Sequence, residues 1–181
     1  MTKYNKNSIT IEWKKVKGAD GYDIYGSMCN SHTVKRDYRY VTSVGAGKTK
    51  YVAKNLREST YYKYYVEAYK MVDGEKKVIT RSALIHGTTL SKKYGVAEKL
   101  TVNKTKVTLK VGETVKLKGT EYNEKKTIRS HRPICFESSN EKVATVKAKK
   151  GVVTGVKPGT CKIWVYAQNG LYVECKVTVV D

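Results

Sequence analysis

The 181-residue sequence predicts an all-β chain, organised as two tandem β-sandwich domains joined by a short linker. Three observations carry this. Apolar residues recur at every second position through most of the chain, and a helical period is nearly absent. Tyrosine is abundant at 15 residues, alongside many Val and Thr, the side chains that suit a pleated and half-buried surface. The alternating runs are also short and bounded by Gly, Asn, Asp and Ser turn clusters.

Taken in order, Ser8–Trp13 (SITIEW) places Ile9, Ile11 and Trp13 on one face and Thr10 and Glu12 on the other. Lys17–Gly21 (KGADG) is a turn, after which Tyr22 and Ile24 share a face. Arg39–Val44 and Thr49–Val52 read as strands, with Gly45-Ala46-Gly47 between them and a corner at Leu56–Thr60 (LREST). In Tyr61–Lys70 (YYKYYVEAYK), the set Tyr62, Tyr64, Val66 and Ala68 alternates with Lys63, Tyr65, Glu67 and Tyr69. Asp73-Gly74 is a hairpin signal, and Lys77–Ile85 is expected to form a last strand.

This run resembles a fibronectin type III domain over roughly residues 4–90. The resemblance rests on Trp13, on the GADGYDIY segment, and on Leu56 followed by Tyr62, Tyr64, Val66 and Ala68. It implies that Trp13 is the core tryptophan and that Tyr62 forms a tyrosine corner, its hydroxyl bonding back to the upstream backbone. Tyr64 is then core, with Tyr65 and Tyr69 left to face outward. The family's first strand is expected to be short or missing, which suggests a piece cut from a longer chain. The first domain is therefore assigned to residues 1–90, and Ser91–Glu98, where alternation lapses, to the linker.

The second domain is assigned to residues 99–181. Leu100 and Val102, then Val107, Leu109 and Val111, alternate before a turn at Gly112–Thr114. Val115 and Leu117 begin another strand, and Gly119–Pro133 reads as one long polar loop. Ile134 and Phe136 share a face, and the strands around Val143–Val146, Gly151–Val156, Cys161–Ala167 and Leu171–Val180 follow. The phrase FESSNEKVATVKAKKGVVTGVKPGTCKIWVYA resembles the bacterial immunoglobulin-like family, group 2. Phe136 stands where that family usually has tryptophan, Ala144 and Val146 supply core contacts, and Gly151 and Gly159 suit turns of positive φ. Both resemblances imply immunoglobulin-like sandwiches of a bacterial surface or secreted protein.

Val44–Thr49 (VGAGKT) fails as a phosphate-binding loop because Thr42 occupies the first glycine position and strand follows, so a hairpin loop is expected. Cys29, Cys135, Cys161 and Cys175 form no CxxC pair, and His32, His86 and His131 do not space with them as zinc ligands do. Keeping Ile163, Val165, Val173 and Val177 inward requires a three-residue loop at 168–170. Cys161 and Cys175 are then diagonal neighbours about 7–8 Å apart, too far for a disulfide. Glu12, Asp20, Asp23 and Asp37 have no matched partner for acid–base work and are too sparse for calcium. The reading is therefore non-enzymatic, with no catalytic, cofactor or metal site.

The formal charge is +20, divided almost evenly along the chain, and only six of the 36 basic residues are Arg. Two basic patches are candidate binding sites. One is Ile128–Pro133 (IRSHRP), with Arg129, His131 and Arg132. The other is His32–Tyr40 (HTVKRDYRY), where Tyr38 and Tyr40 interleave with Arg36 and Arg39. The function expected is an extracellular stalk or spacer pair active in cell adhesion. The alternative is a binding module for anionic wall polymers or host glycans through Lys/Arg-rich faces. Partners would be carbohydrate or protein on a host or neighbouring cell, or an anionic wall polymer. Nucleic acid is disfavoured by the scarcity of Arg, no apolar run spans a membrane, and a monomer is expected.

Overall fold

The computed structural model describes residues 3–29 and 38–181, and among them there is no helix. The chain divides into two compact units, Met1–Val96 and Ala97–Asp181. Each has its own apolar core.

The first unit contains β1 (Lys3–Tyr4), β2 (Ile9–Glu12), β3 (Gly21–Met28), β4 (Arg39–Gly45), β5 (Lys50–Ala53), β6 (Tyr61–Val72), β7 (Glu75–Arg81), β8 (Ile85–Thr88) and β9 (Tyr94–Gly95). One sheet has the order β1-β2-β5. The other runs β4-β3-β6-β7, with β8 pairing the first half of β6. Ile9, Ile11, Ala53, Tyr22, Ile24, Tyr62, Tyr64, Val66 and Ala68 meet between these sheets and are buried. A fully buried side chain such as Ile9 or Ile24 contributes about 1.5–3 kcal/mol. Trp13 is half-buried and packs on Tyr22, ring centroids 5.3 Å apart. Leading into β2, the first strand is short, a two-residue element whose Tyr4 is buried.

Two first-half expectations need correction. Residues 77–85 are not one strand: the chain breaks at 82–84 between β7 and β8. There the Ser82 N–H donates to the Val66 carbonyl and the Ser82 hydroxyl accepts from the Val66 N–H, so a side chain replaces one ladder partner. The loop at 45–49 is not a hairpin. It carries the chain from β4 in one sheet to β5 in the other, turning where the Lys48 N–H donates to the Gly45 carbonyl. The β6–β7 connection is a two-residue hairpin. Asp73 (φ 52°) and Gly74 (φ 81°) both take the left-handed conformation that matches strand twist.

The second unit contains β10 (Lys99–Val102), β11 (Lys106–Lys110), β12 (Thr114–Lys116), β13 (Gly119–Tyr122), β14 (Thr127–Ile128), β15 (Cys135–Ser138), β16 (Ala144–Val146), β17 (Val152–Gly155), β18 (Gly159–Tyr166) and β19 (Tyr172–Val180). Its main sheet has the order β11-β19-β18-β15, with β12-β17-β16 and β10-β13 as smaller sheets. The pair β11·β19 is parallel, Lys106 opposite Lys176 through Lys110 opposite Val180. Leu109, Leu117, Phe136, Ala144, Val153, Ile163, Val165, Val177 and Val179 fill the core. Val111 does not join them: β11 ends at Lys110, and Val111 is 49% exposed in the turn that it shares with Gly112, closed by the Glu113 N–H donating to the Lys110 carbonyl. Nor is 119–133 wholly loop, since Gly119–Tyr122 pairs with β10 from Val102 to Lys99. Its polar Gly-Thr-Glu-Tyr sequence conceals an edge strand.

Phe136 is 7% exposed, and its ring lies against Gly151, which sits at φ 65°. A Cβ at 151 would come within 2.5 Å of the Leu117 carbonyl and 2.7 Å of that ring, so glycine is required for both conformation and space.

Candidate functional site

Tyr38 and Tyr40 lie on the outer face of the first unit's larger sheet, where they meet residues that the sequence reading treated singly. Strand register sets the rows. Ser43, Asp23, Glu67 and Arg81 face one another across β4, β3, β6 and β7, and Tyr40, Tyr25 and Tyr65 form the next row. Tyr25 stacks on Tyr65 at 4.9 Å and 12°, Tyr40 meets Tyr25 edge-on at 5.8 Å, and Tyr38 meets Tyr65 edge-on at 4.9 Å. The Arg81 guanidinium covers Tyr65 at 4.7 Å, and the Lys63 ammonium lies 4.6 Å over Tyr38.

These rings shield charges that would otherwise be solvated. Lys63, Asp23 and Glu67 are all buried on what should be the wet face of a sandwich. The carboxylates survive there because each is paired. Lys76 Nζ donates to both Asp23 oxygens at 2.8 and 3.1 Å, the Ser43 hydroxyl donates to Asp23, and Arg81 Nε donates to Glu67 at 2.8 Å. The Asp23 hydrogen bond raises the Lys76 pKa above its ordinary value. Burial, and then the Glu67 charge, push the Tyr25 and Tyr65 phenols up, so both stay protonated. The ring faces of Tyr25 and Tyr65 are spent on one another and on Arg81, while Tyr40 at the edge of the row is 56% exposed. His32 and Arg36 of this patch lie outside the described residues.

Beside this face, Cys29 Sγ lies 3.4 Å from His86 Nδ1. Spacing rules could not reveal this thiol–imidazole contact, because 57 residues separate the two.

In the second unit, Arg129, His131 and Arg132 are exposed on the loop leading to β15. Their backbone is stapled by Gln168, which sequence reading passed over as a turn residue. Gln168 Oε1 accepts from the His131 and Arg132 N–H groups at 3.1 and 3.3 Å, and its Nε2 donates to the Arg129 carbonyl at 3.0 Å. Asn169 is buried as well and donates to the Ala97 carbonyl at 2.7 Å. Gln168 thus ties down the backbone of the loop that carries these three side chains. The two patches belong to different units.

Cys161 stands opposite Val177 and Cys175 opposite Ile163, and the loop at 168–170 closes with Gly170 at φ 85°. Both thiols are free and buried. Burial pushes both thiol pKa values up and keeps them protonated.

Several solved structures are similar to this chain at low identity. An S-layer protein, rSbsC(31–844), is 18% identical over 92% of this chain and 21% of its own, with a TM-score of 0.42. The chain thus spans about a fifth of that protein's length. The C-terminal 282-residue fragment of intimin, solved with the intimin-binding domain of the translocated intimin receptor, is 14% identical, covering 98% of this chain and 62% of that one, at a TM-score of 0.37. A two-domain fibronectin type III segment of chicken tenascin is 10% identical over 98% and 96%, at 0.39. No curated protein matches the sequence. Residues 96–177 match the family model of the bacterial Ig-like domain (group 2).

Proposed function

We propose that the chain is a non-enzymatic pair of modules from a bacterial surface or secreted protein, serving as a stalk or spacer in cell adhesion. The match of residues 96–177 to the bacterial Ig-like domain carries this reading. The first module, residues 1–90, is read as fibronectin type III-like. Supporting this, the Tyr62 hydroxyl accepts the Arg57 N–H at 2.9 Å, as a tyrosine corner requires. Residues 91–98 are read as the linker.

A stalk must resist tension, and the second unit is wired for it. Its early strand β11 and final strand β19 run parallel and in register over five residue pairs. Further bonds at either end join the Lys176 N–H to the Thr105 carbonyl and the Val111 N–H to the Val180 carbonyl. Pulling on the two ends loads these bonds together in shear, instead of opening them one after another.

Antibodies raised against the recombinant chain test the location. They should label intact cells of the source bacterium, and labelling only after permeabilisation would sink the proposal.

A further inference from the structure

The outer face of the main sheet in the second unit carries an arrangement that a spacer does not need. Inward residues of β11, β19 and β18 fill the core, so the alternate set faces out. Lys106, Lys176 and Lys162 stand on one row across three adjacent strands. All three are exposed. Like charges directly opposite one another destabilise a sheet, and only Lys162 is compensated, by Glu174 at 2.8 Å. Among the described residues, Lys106 and Lys176 have no carboxylate within ion-pair distance. A depression of about 440 Å³ opens at this row, lined by Thr105, Ser139, Thr160, Lys162, Glu174 and Lys176.

Moving along β18 and β19 from the lysine row, the next row is Trp164 with Glu174, and the one after is Tyr166 with Tyr172. Successive rows are about 7 Å apart, so cations and exposed ring lie about 14 Å apart along the strands on one face. Trp164 Nε1 donates to Glu174 at 3.1 Å, and Tyr172 is 45% exposed.

The geometry points to a binding site for a linear acidic polysaccharide, its anionic groups on Lys106, Lys162 and Lys176 and its sugar rings along Trp164 and Tyr172. Charge complementarity selects the anion, and the aromatic rows select a ligand with apolar ring faces. A single-stranded nucleic acid fits less well. It stacks successive bases on open aromatic faces along its track, whereas here Trp164 and Tyr166 are half-buried and donate to Glu174 and Glu137, which leaves Tyr172 as the exposed ring of these rows. This inference does not depend on where the protein resides, because it concerns the isolated chain's affinity.

Affinity electrophoresis of the whole chain in polygalacturonate, dextran sulfate and neutral dextran tests it, with single-stranded DNA as competitor. The triple variant K106Q/K162Q/K176Q should lose about tenfold in affinity for the acidic polymers and lose most of its salt dependence. The control triple K116Q/K125Q/K142Q, also on exposed lysines, should stay within about twofold of the parent. Comparing the carboxylated and sulfated polymers identifies which anion the row prefers. Y172A should weaken retention while keeping the salt dependence, which separates ring contact from charge. Equal loss in the two triples would mean generic attraction to a +20 protein and would overturn the site. DNA displacing polygalacturonate at lower concentration would overturn the polysaccharide assignment. No retention of the parent chain by either acidic polymer would overturn both.

Discussion

At the scale of single residues, a few side chains hold what whole strands cannot. Tyr62 is 8% exposed and satisfies the Arg57 N–H at the corner before β6. Thr89, fully buried, completes that corner by donating to the Arg57 carbonyl at 2.6 Å and accepting from the Thr60 N–H at 3.0 Å. Tyr62→Phe removes the partner of the Arg57 N–H at this part-buried bond, so it should cost about 0.5–1.5 kcal/mol, read as a lower urea midpoint for the first unit. An unchanged midpoint would show that water replaces the phenol. Gly151→Ala forces a left-handed conformation costing about 1–2 kcal/mol and drives a methyl into the Leu117 carbonyl and the Phe136 ring. It should destabilise the second unit by more than that strain alone and leave the first untouched. Tyr62 and Gly151 were legible in the sequence because each is fixed by local spacing, a corner six residues long or a glycine between two short strands. Thr89 and Gln168 were not, since their partners lie about 30 and 36–39 residues away.

At the scale of elements, alternation identified the inward face of nearly every strand but misjudged the outward face of β6. Lys63 and Glu67 sit at positions that period-2 patterning assigns to water, yet they are buried under rings from β3 and from Tyr38. Nothing local announces this, because the covering residues come from strands more than 20 positions away in sequence. The polar edge strand β13 escaped notice for a related reason: its register is set by β10 rather than by its own apolar residues. The same phenol packing predicts a pH response. Burial raises the pKa of Tyr64 first, with Tyr51 and Tyr62 adding to it, while Tyr25 and Tyr65 are raised as described. For a phenol raised above its free value of about 10, the unfolded chain loses its proton while the folded chain keeps it, so stability falls as pH climbs past 10. Lys76 acts in the same direction, its contribution being complete below its free value of 10.5 and lost as pH rises through the higher folded value. The urea midpoint of the first unit should therefore drop between pH 9 and 11, roughly the range where free phenols titrate. Tyr64→Phe should make that drop shallower, and an identical slope in the variant would remove Tyr64 from the account.

At the scale of the molecule, two units with separate cores should unfold as two events, and their strand order predicts which needs more force. In the second unit, tension peels residues before β11 and then meets the parallel β11·β19 ladder, whose bonds must break together. In the first unit, the outermost strands β1 and β8 are held antiparallel to β2 and β6 over two and four residue pairs. Antiparallel strands pulled from their ends open one bond at a time, and each rupture leaves the next bond to carry the whole load. Single-molecule stretching of the chain between inert handles should show two steps of about 300 Å each, since each extended residue spans about 3.5 Å. The weaker step belongs to the first unit and the stronger to the second. Val111→Pro assigns them, because proline removes the N–H that donates to the Val180 carbonyl at an exposed position, with no loss of core. The stronger step should fall in the variant while the weaker one stays put. If the weaker step falls instead, or neither moves, the parallel ladder is not what bears the load, and the spacer role loses its mechanical support.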